Sequence, residues 1–129
     1  VNNILECAIA ANPNNKMAWA LKGQTALNSM DYDVAIAANA KAVAIDPTFT
    51  QVRFNLAASQ KEKAMTIIDK AGGNVTDEAK ALINEAITNL NIIREQDPNH
   101  ELVQWRYPLA QCYYILGDNA KSEEIQALP

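Results

Sequence analysis

Few side chains in this sequence are of a type that could do chemistry, and they are scattered. The single histidine, His100, follows Asp97-Pro98-Asn99 at a turn before an expected helix. Acid–base work there would need a second group within hydrogen-bond reach. No His-x-x-x-His pair, cysteine pair or nucleophile elbow accompanies it, so it reads as a solvated or capping residue. Asp77-Glu78 and Glu123-Glu124 are paired acids. The first pair falls in an expected first helical turn, where acids complement the helix dipole, and the second on a solvated face. Neither carries a sign of the burial that tunes a carboxyl for catalysis. Asp69, Asn74, Asp77 and Glu78 surround Gly72-Gly73 and offer oxygens to a hard cation, without EF-hand spacing. Cys7 and Cys112 form no motif; each falls on an expected apolar helix face, and both are expected to be buried thiols. These residues point to no enzyme, no metal and no cofactor.

Composition narrows the class further. The formal net charge is −4, without a dense Lys/Arg cluster, which argues against nucleic acid and against an anionic membrane surface. No apolar run reaches transmembrane length, so direct membrane insertion is not expected. Apolar residues make up 49% of the chain, enough to fill a core, while aromatics are only 6%. Ala-rich, Gly-poor stretches without β-branched runs favour helix. No signal peptide is visible, and the first residues, Val1-Asn2-Asn3-Ile4-Leu5, already read as helix. The chain is therefore expected to be a trimmed or mature piece of a longer protein.

The elements that must position any site follow from proline spacing. Asn12-Pro13 and Asp46-Pro47 lie 34 residues apart, each after an Ala-rich amphipathic segment. Proline ends a helix and restricts the residue before it. Between them, Trp19, Gly23, Ala26 and Leu27 share helical spacing, as do Ala35, Ile36, Ala38, Ala42 and Val43. Small residues at Gly23, Ala35 and Ala42 let two antiparallel helices approach closely. Asp97-Pro98 comes 51 residues after Pro47, or 34 plus 17. The register survives, with about 17 residues inserted in the middle unit. Gly72-Gly73-Asn74 stops one long helix, and Thr76 caps the next. Seven helices are expected: about 2–11, 15–29, 32–45, 50–71, 77–96, 100–116 and 119–127. Pro108 should bend or interrupt the sixth. Such helix pairs cannot bury their faces alone and must stack.

With these residues in place the chain resembles the tetratricopeptide repeat (TPR) family. The best unit, 16–49, carries Trp19, Gly23, Ala35, Ala42 and Pro47 at the family's key places, with DYDVAI from Asp31 to Ile36. Residues 100–129 add LAxCYYxLGD from Leu109 to Asp118. Lys22, Ala26, Asn39 and Arg53 depart from the family pattern. The order of a standard repeat, an elongated repeat opening xFNLAASxxxKA, then DPN and YYxLGDxxK is similar to exported TPR proteins of Bacteroidetes bacteria. The resemblance implies an all-α fold of antiparallel helix pairs stacked as a right-handed α-solenoid. Within one domain over 1–129, it implies the second helix of a truncated repeat at 1–13 and a standard repeat at 14–47. An elongated repeat follows at 48–98 with its tip near 72–76, and a C-terminal repeat at 99–129. It also implies an origin in the bacterial periplasm or at the outer membrane.

In such arrays the first helix of each pair lines a concave groove. The residues implied to face it include Met17, Ala20, Gln24, Leu27 and Asn28, then Gln51, Phe54, Ala58, Lys61 and Glu62, then Gln104, Tyr107, Gln111, Tyr114 and Ile115. Phe54, Tyr107 and Tyr114 are the expected aromatic anchors. Repeat packing falls to Trp19, Gly23, Ala35, Ala42, Leu109 and Ala110. A clamp for a C-terminal carboxylate would need basic residues where Ala20, Gln104 and Pro108 stand, and Gln24 and Asn55 match only loosely. The expected function is a non-catalytic adaptor or scaffold that binds a protein or peptide in the groove. The alternative is an assembly element that self-associates or docks through the 66–80 hairpin and the array ends.

Overall fold

The computed structural model describes residues 2–129. Val1, the first residue of the expected truncated repeat, lies outside the described residues. Seven α-helices follow one another: α1 Asn2–Ala11, α2 Lys16–Asn28, α3 Tyr32–Ile45, α4 Thr50–Lys70, α5 Asp77–Gln96, α6 Arg106–Ile115 and α7 Asn119–Gln126. Each packs chiefly on its sequence neighbours, and α2 also touches α4. The result is an all-α, TPR-like solenoid of helix pairs. No helix among the described residues is long and apolar enough to cross a membrane.

Local chemistry sets the boundaries. The Asn15 Oδ1 accepts from the Ala18 N–H at 3.2 Å, Thr76 Oγ1 from Ala79 at 3.2 Å and Asp118 Oδ1 from Lys121 at 3.0 Å. These side chains satisfy donors that a helix start leaves open. Three helices close with the same pair of backbone bonds. Asp31 N–H donates to Ala26 O at 2.8 Å, Gly73 to Ile68 at 2.9 Å and Asp118 to Tyr113 at 2.9 Å. Each closure needs one left-handed residue. Gly72 (φ 69°) and Gly117 (φ 86°) supply it for α4 and α6, but Met30 (φ 59°) supplies it for α2.

The sixth helix is shorter than its expected span of 100–116. It starts at Arg106, because the Asp97 carboxylate claims the preceding backbone. It accepts from the N–H groups of Glu101 (2.9 Å), Leu102 (2.9 Å) and Val103 (3.1 Å), while Trp105 Nε1–H donates to the Asp97 carbonyl at 2.7 Å. Pro108 thereby falls in the first turn of α6, where a missing N–H breaks no intrahelical bond. The bend expected at Pro108 is replaced by this tied loop.

Two apolar clusters hold the stack. The larger joins α4 to α7 around Ile83, Leu90, Ile93, Trp105, Leu109 and Ile125. The smaller joins α3 and α4 through Ala42, Val43, Val52 and Leu56, with Trp19 against it. Ala35, Ala42, Leu109 and Ala110 are all buried, as is Gly23. Trp19 is half-buried and its Nε1–H donates to Pro13 O at 2.7 Å. The front of the array is tied by ion pairs between helices: Lys22–Glu6 (2.8 Å), Lys16–Asp46 (2.6 Å) and Lys63–Asp33 (2.6 Å). The last pair sets Lys63 of α4 level with the start of α3. From there α4 runs on to Lys70, about two further turns at 3.6 residues each. A polar ladder lines the α4–α5 hairpin: Arg53 donates to Asn89 at 3.0 Å, Asn89 to Gln60 at 3.0 Å and Gln60 to Glu85 at 3.2 Å. Cys7, expected to be buried, is exposed, because among the described residues α1 packs mainly on α2. Cys112 is buried, and burial pushes its thiol up to about 11.

Candidate functional site

The first helices α2, α4 and α6 share one face of the stack, and their exposed positions form the candidate site. Between α2 and α4 lies a cleft of ≈ 400 Å³. Its α2 wall is Met17, Ala20, Leu21 and Gln24; its α4 wall is Phe49, Gln51, Val52 and Asn55. The walls follow from helical spacing: Met17, Leu21 and Gln24 succeed one another at i, i+4 and i+7. Gln51 and Asn55 stand at i and i+4 on the facing helix. A second hollow of ≈ 320 Å³ shares Met17, Phe49 and Gln51 and adds Leu102. The loop that Asp97 ties down is what places Leu102 there.

Farther along, α4 and α6 meet through Lys61, whose Nζ donates to Gln111 Oε1 at 2.7 Å. Tyr107 and Tyr114 stand on α6, 62% and 66% exposed. The Arg106 guanidinium lies over the Tyr107 ring at 4.9 Å and donates to its hydroxyl at 3.2 Å. Its other terminal nitrogen donates to Leu128 O. Asn28 is exposed at the end of α2.

Phe54, expected as a groove anchor, is half-buried and packs against the larger core cluster. On α4 the flank of Gln51, Val52 and Asn55 faces α2, and Phe54 falls on the other flank. Leu21, Phe49, Val52, Asn55 and Leu102 line the two hollows and were not anticipated as groove residues. Leu21 was legible as the i+4 neighbour of Met17. Phe49 precedes its helix and Leu102 sits in a loop, so helical spacing could not place either.

The ionised groups near the cleft are matched. Lys16 donates to Asp46, and Thr48 donates to the same carboxylate through its hydroxyl (2.6 Å) and N–H (3.1 Å). Those bonds, with Lys16 first, hold the Asp46 carboxyl down to about 2. At Asp97, burial pushes the carboxyl up, but the three backbone N–H groups outweigh it and leave it below the usual carboxylate range. His100 donates from Nε2 to Pro129 O at 3.0 Å and meets the Trp105 ring edge-on at 6.0 Å. Among the described residues no group of three or more His, Cys, Asp and Glu could hold a metal ion. Asp69, Asp77 and Glu78 thus form no such group.

The fold is that of an all-α, TPR-like repeat protein of about seven helices. No protein-family model and no curated protein matches the chain. It is similar to solved structures of MamA. The AMB-1 protein in its C2221 form aligns with TM-score 0.70 at 22% identity, covering 96% of this chain and 62% of that one. The AMB-1 P212121 form gives 0.73 at 22% identity, covering 96% and 57%. The MSR-1 protein in its C2 form gives 0.66 at 22% identity, covering 96% and 64%. The chain thus spans about three-fifths of the length of these structures. At this identity the likeness carries the fold.

Proposed function

We propose that this chain is a non-catalytic binding module that holds a segment of another protein along the face formed by α2, α4 and α6. The observation that carries this reading is where large apolar side chains stand in water. Met17 (61% exposed) and Leu102 (68%) line its hollows, and Tyr107 and Tyr114 flank Gln111, which bonds α4 through Lys61. Exposed aromatic and apolar side chains grouped on a concave surface are the usual anchors of protein recognition. The test is a photocrosslinking residue placed at Gln51 or Tyr114 on this face, or at Thr88 on the outer side of α5, in extract of the source organism. One partner captured from both groove positions and not from Thr88 is the expected result. Capture from Thr88 alone would overturn it.

A second reading is assembly between copies through the front of the array. Ile4 is 74% exposed there, beside a cleft of ≈ 350 Å³ lined by Leu5, Thr25 and Val34. The hairpin tip supports this reading less, since Gly72, Gly73 and Asn74 are its exposed residues and Ile67, Ile68 and Val75 pack inward. Sedimentation of Ile4→Asp beside the parent chain separates the two readings.

A further inference from the structure

The α2–α4 cleft differs from the rest of the groove in one respect: none of the residues lining it is ionisable. Its apolar surface comes from Met17, Leu21, Phe49 and Val52, and its polar surface from the carboxamides of Gln24, Gln51 and Asn55. Lys16, at the shared mouth with the second hollow, is already bonded to Asp46. A charged group entering this space would lose water and gain no counter-ion, which is costly. An uncharged apolar side chain meets a matching surface, and the volume falls within the range of ligand pockets.

The three amides decide the conformation of what enters. Each offers both donors and acceptors, which suits a peptide backbone with unpaired N–H and C=O groups. A helix has bonded those groups internally and would leave the amides facing apolar side chains. An extended strand would pair with them, as strands do in other grooves.

We infer that the α2–α4 cleft is the anchor pocket of the groove. It takes one large apolar side chain from an uncharged, extended, internal peptide segment, whose backbone pairs with Gln24, Gln51 and Asn55. This rests on the peptide-binding reading above. It places the principal anchor at Met17 and Leu21, away from Tyr107 and Tyr114.

The test uses a random dodecapeptide phage library panned on the intact chain, followed by fluorescence anisotropy of a fluorescein-labelled selected peptide. Met17 and Leu21 are 61% and 49% exposed, so Met17→Ala/Leu21→Ala should fold. Selected peptides should share one Leu, Ile, Met or Phe flanked by uncharged residues. The Met17/Leu21 variant should bind at least tenfold more weakly, Gln51→Ala several-fold more weakly, and Tyr107→Ala/Tyr114→Ala within about threefold of the parent. Replacing the peptide's apolar residue by Asp or Lys should abolish binding. Peptides that depend on Tyr107 and Tyr114 but not on Met17 and Leu21, or that carry a charge at the anchor, overturn the pocket and leave the groove reading standing. Failure to select any peptide, with Met17→Ala/Leu21→Ala altering only sedimentation, puts a second copy in the cleft and overturns both.

Discussion

The Asn39 carboxamide fills the space that a side chain on Gly23 would occupy, so a Cβ there would collide with it. Asn39 is fully buried on α3, and neither its Oδ1 nor its Nδ2 has a hydrogen-bond partner. The two residues are one packing unit: an amide where the TPR pattern has a larger apolar side chain, facing the one residue small enough to admit it. Gly23→Ala should destabilise by about 1–2 kcal/mol, overpacking outweighing the better helix propensity of alanine. Asn39→Ala should be near neutral, because it removes a desolvated amide along with its contacts. The double variant should be more stable than Gly23→Ala alone. Urea unfolding of all four chains gives this cycle, and strict additivity would refute the coupling.

Met30 holds a left-handed conformation that Gly72 and Gly117 hold in the two equivalent closures. It is 73% exposed and has little packing to lose. The left-handed conformation costs an L-residue about 1–2 kcal/mol. Met30→Gly should therefore raise stability by about 1 kcal/mol, read as a higher melting temperature by circular dichroism. An unchanged or lower value would show that the Met30 side chain contributes packing.

Asp46 and Asp97 both titrate below the usual carboxylate range. A carboxyl depressed in the folded state stabilises above its unfolded value, near pH 4, and loses that contribution as pH falls through the folded one. The urea midpoint should be flat from pH 7 to about 5 and then fall between about 4 and 2. Asp97→Asn cannot accept from all three backbone donors and should cost about 2 kcal/mol at pH 7. It should also show a shallower decline below pH 4. A decline as steep as the parent's would remove Asp97 from this account.

The two cysteines should separate cleanly by reactivity. Cys7 is exposed, whereas Cys112 is buried with its thiol pushed up to about 11. The thiolate is the reactive form. Ellman's reagent at pH 8 should titrate one thiol per native chain at once and the second only in denaturant. Cys7→Ser should abolish the fast phase.

The sequence made the helices legible because their ends are set locally. Pro13, Pro47 and Pro98 stop helices by their own geometry, and Gly72-Gly73 followed by Thr76 writes a stop and a start. Loop 100–105 was misread as helix because its conformation is imposed by Asp97, through bonds reaching four to six residues along the chain. Periodicity carries no such information. The groove was half legible for a related reason. The resemblance pointed to Met17, Gln24 and Gln51, which line the cleft, and not to Asn55, while Phe54 differs from Gln51 by a small rotation about α4. Only the packed positions of α2 and α5 decide which flank is inner. Cys7 shows the converse, since an apolar stripe predicts burial only where a neighbour exists to cover it.

The long α4–α5 hairpin shows how such an array changes size. Helices α4 and α5 hold 21 and 20 residues against 13 and 14 in α2 and α3, so length gained going out is recovered coming back. Growth of this kind is sideways. The ladder from Arg53 to Glu85 pairs the two helices face to face, and residues added within that span by less than whole turns would rotate its partners out of step. Viable hairpins of this type should therefore come in steps of about seven residues, one turn on each side. Each step would widen the protein's reach while leaving its ends, its repeat spacing and its groove where they were.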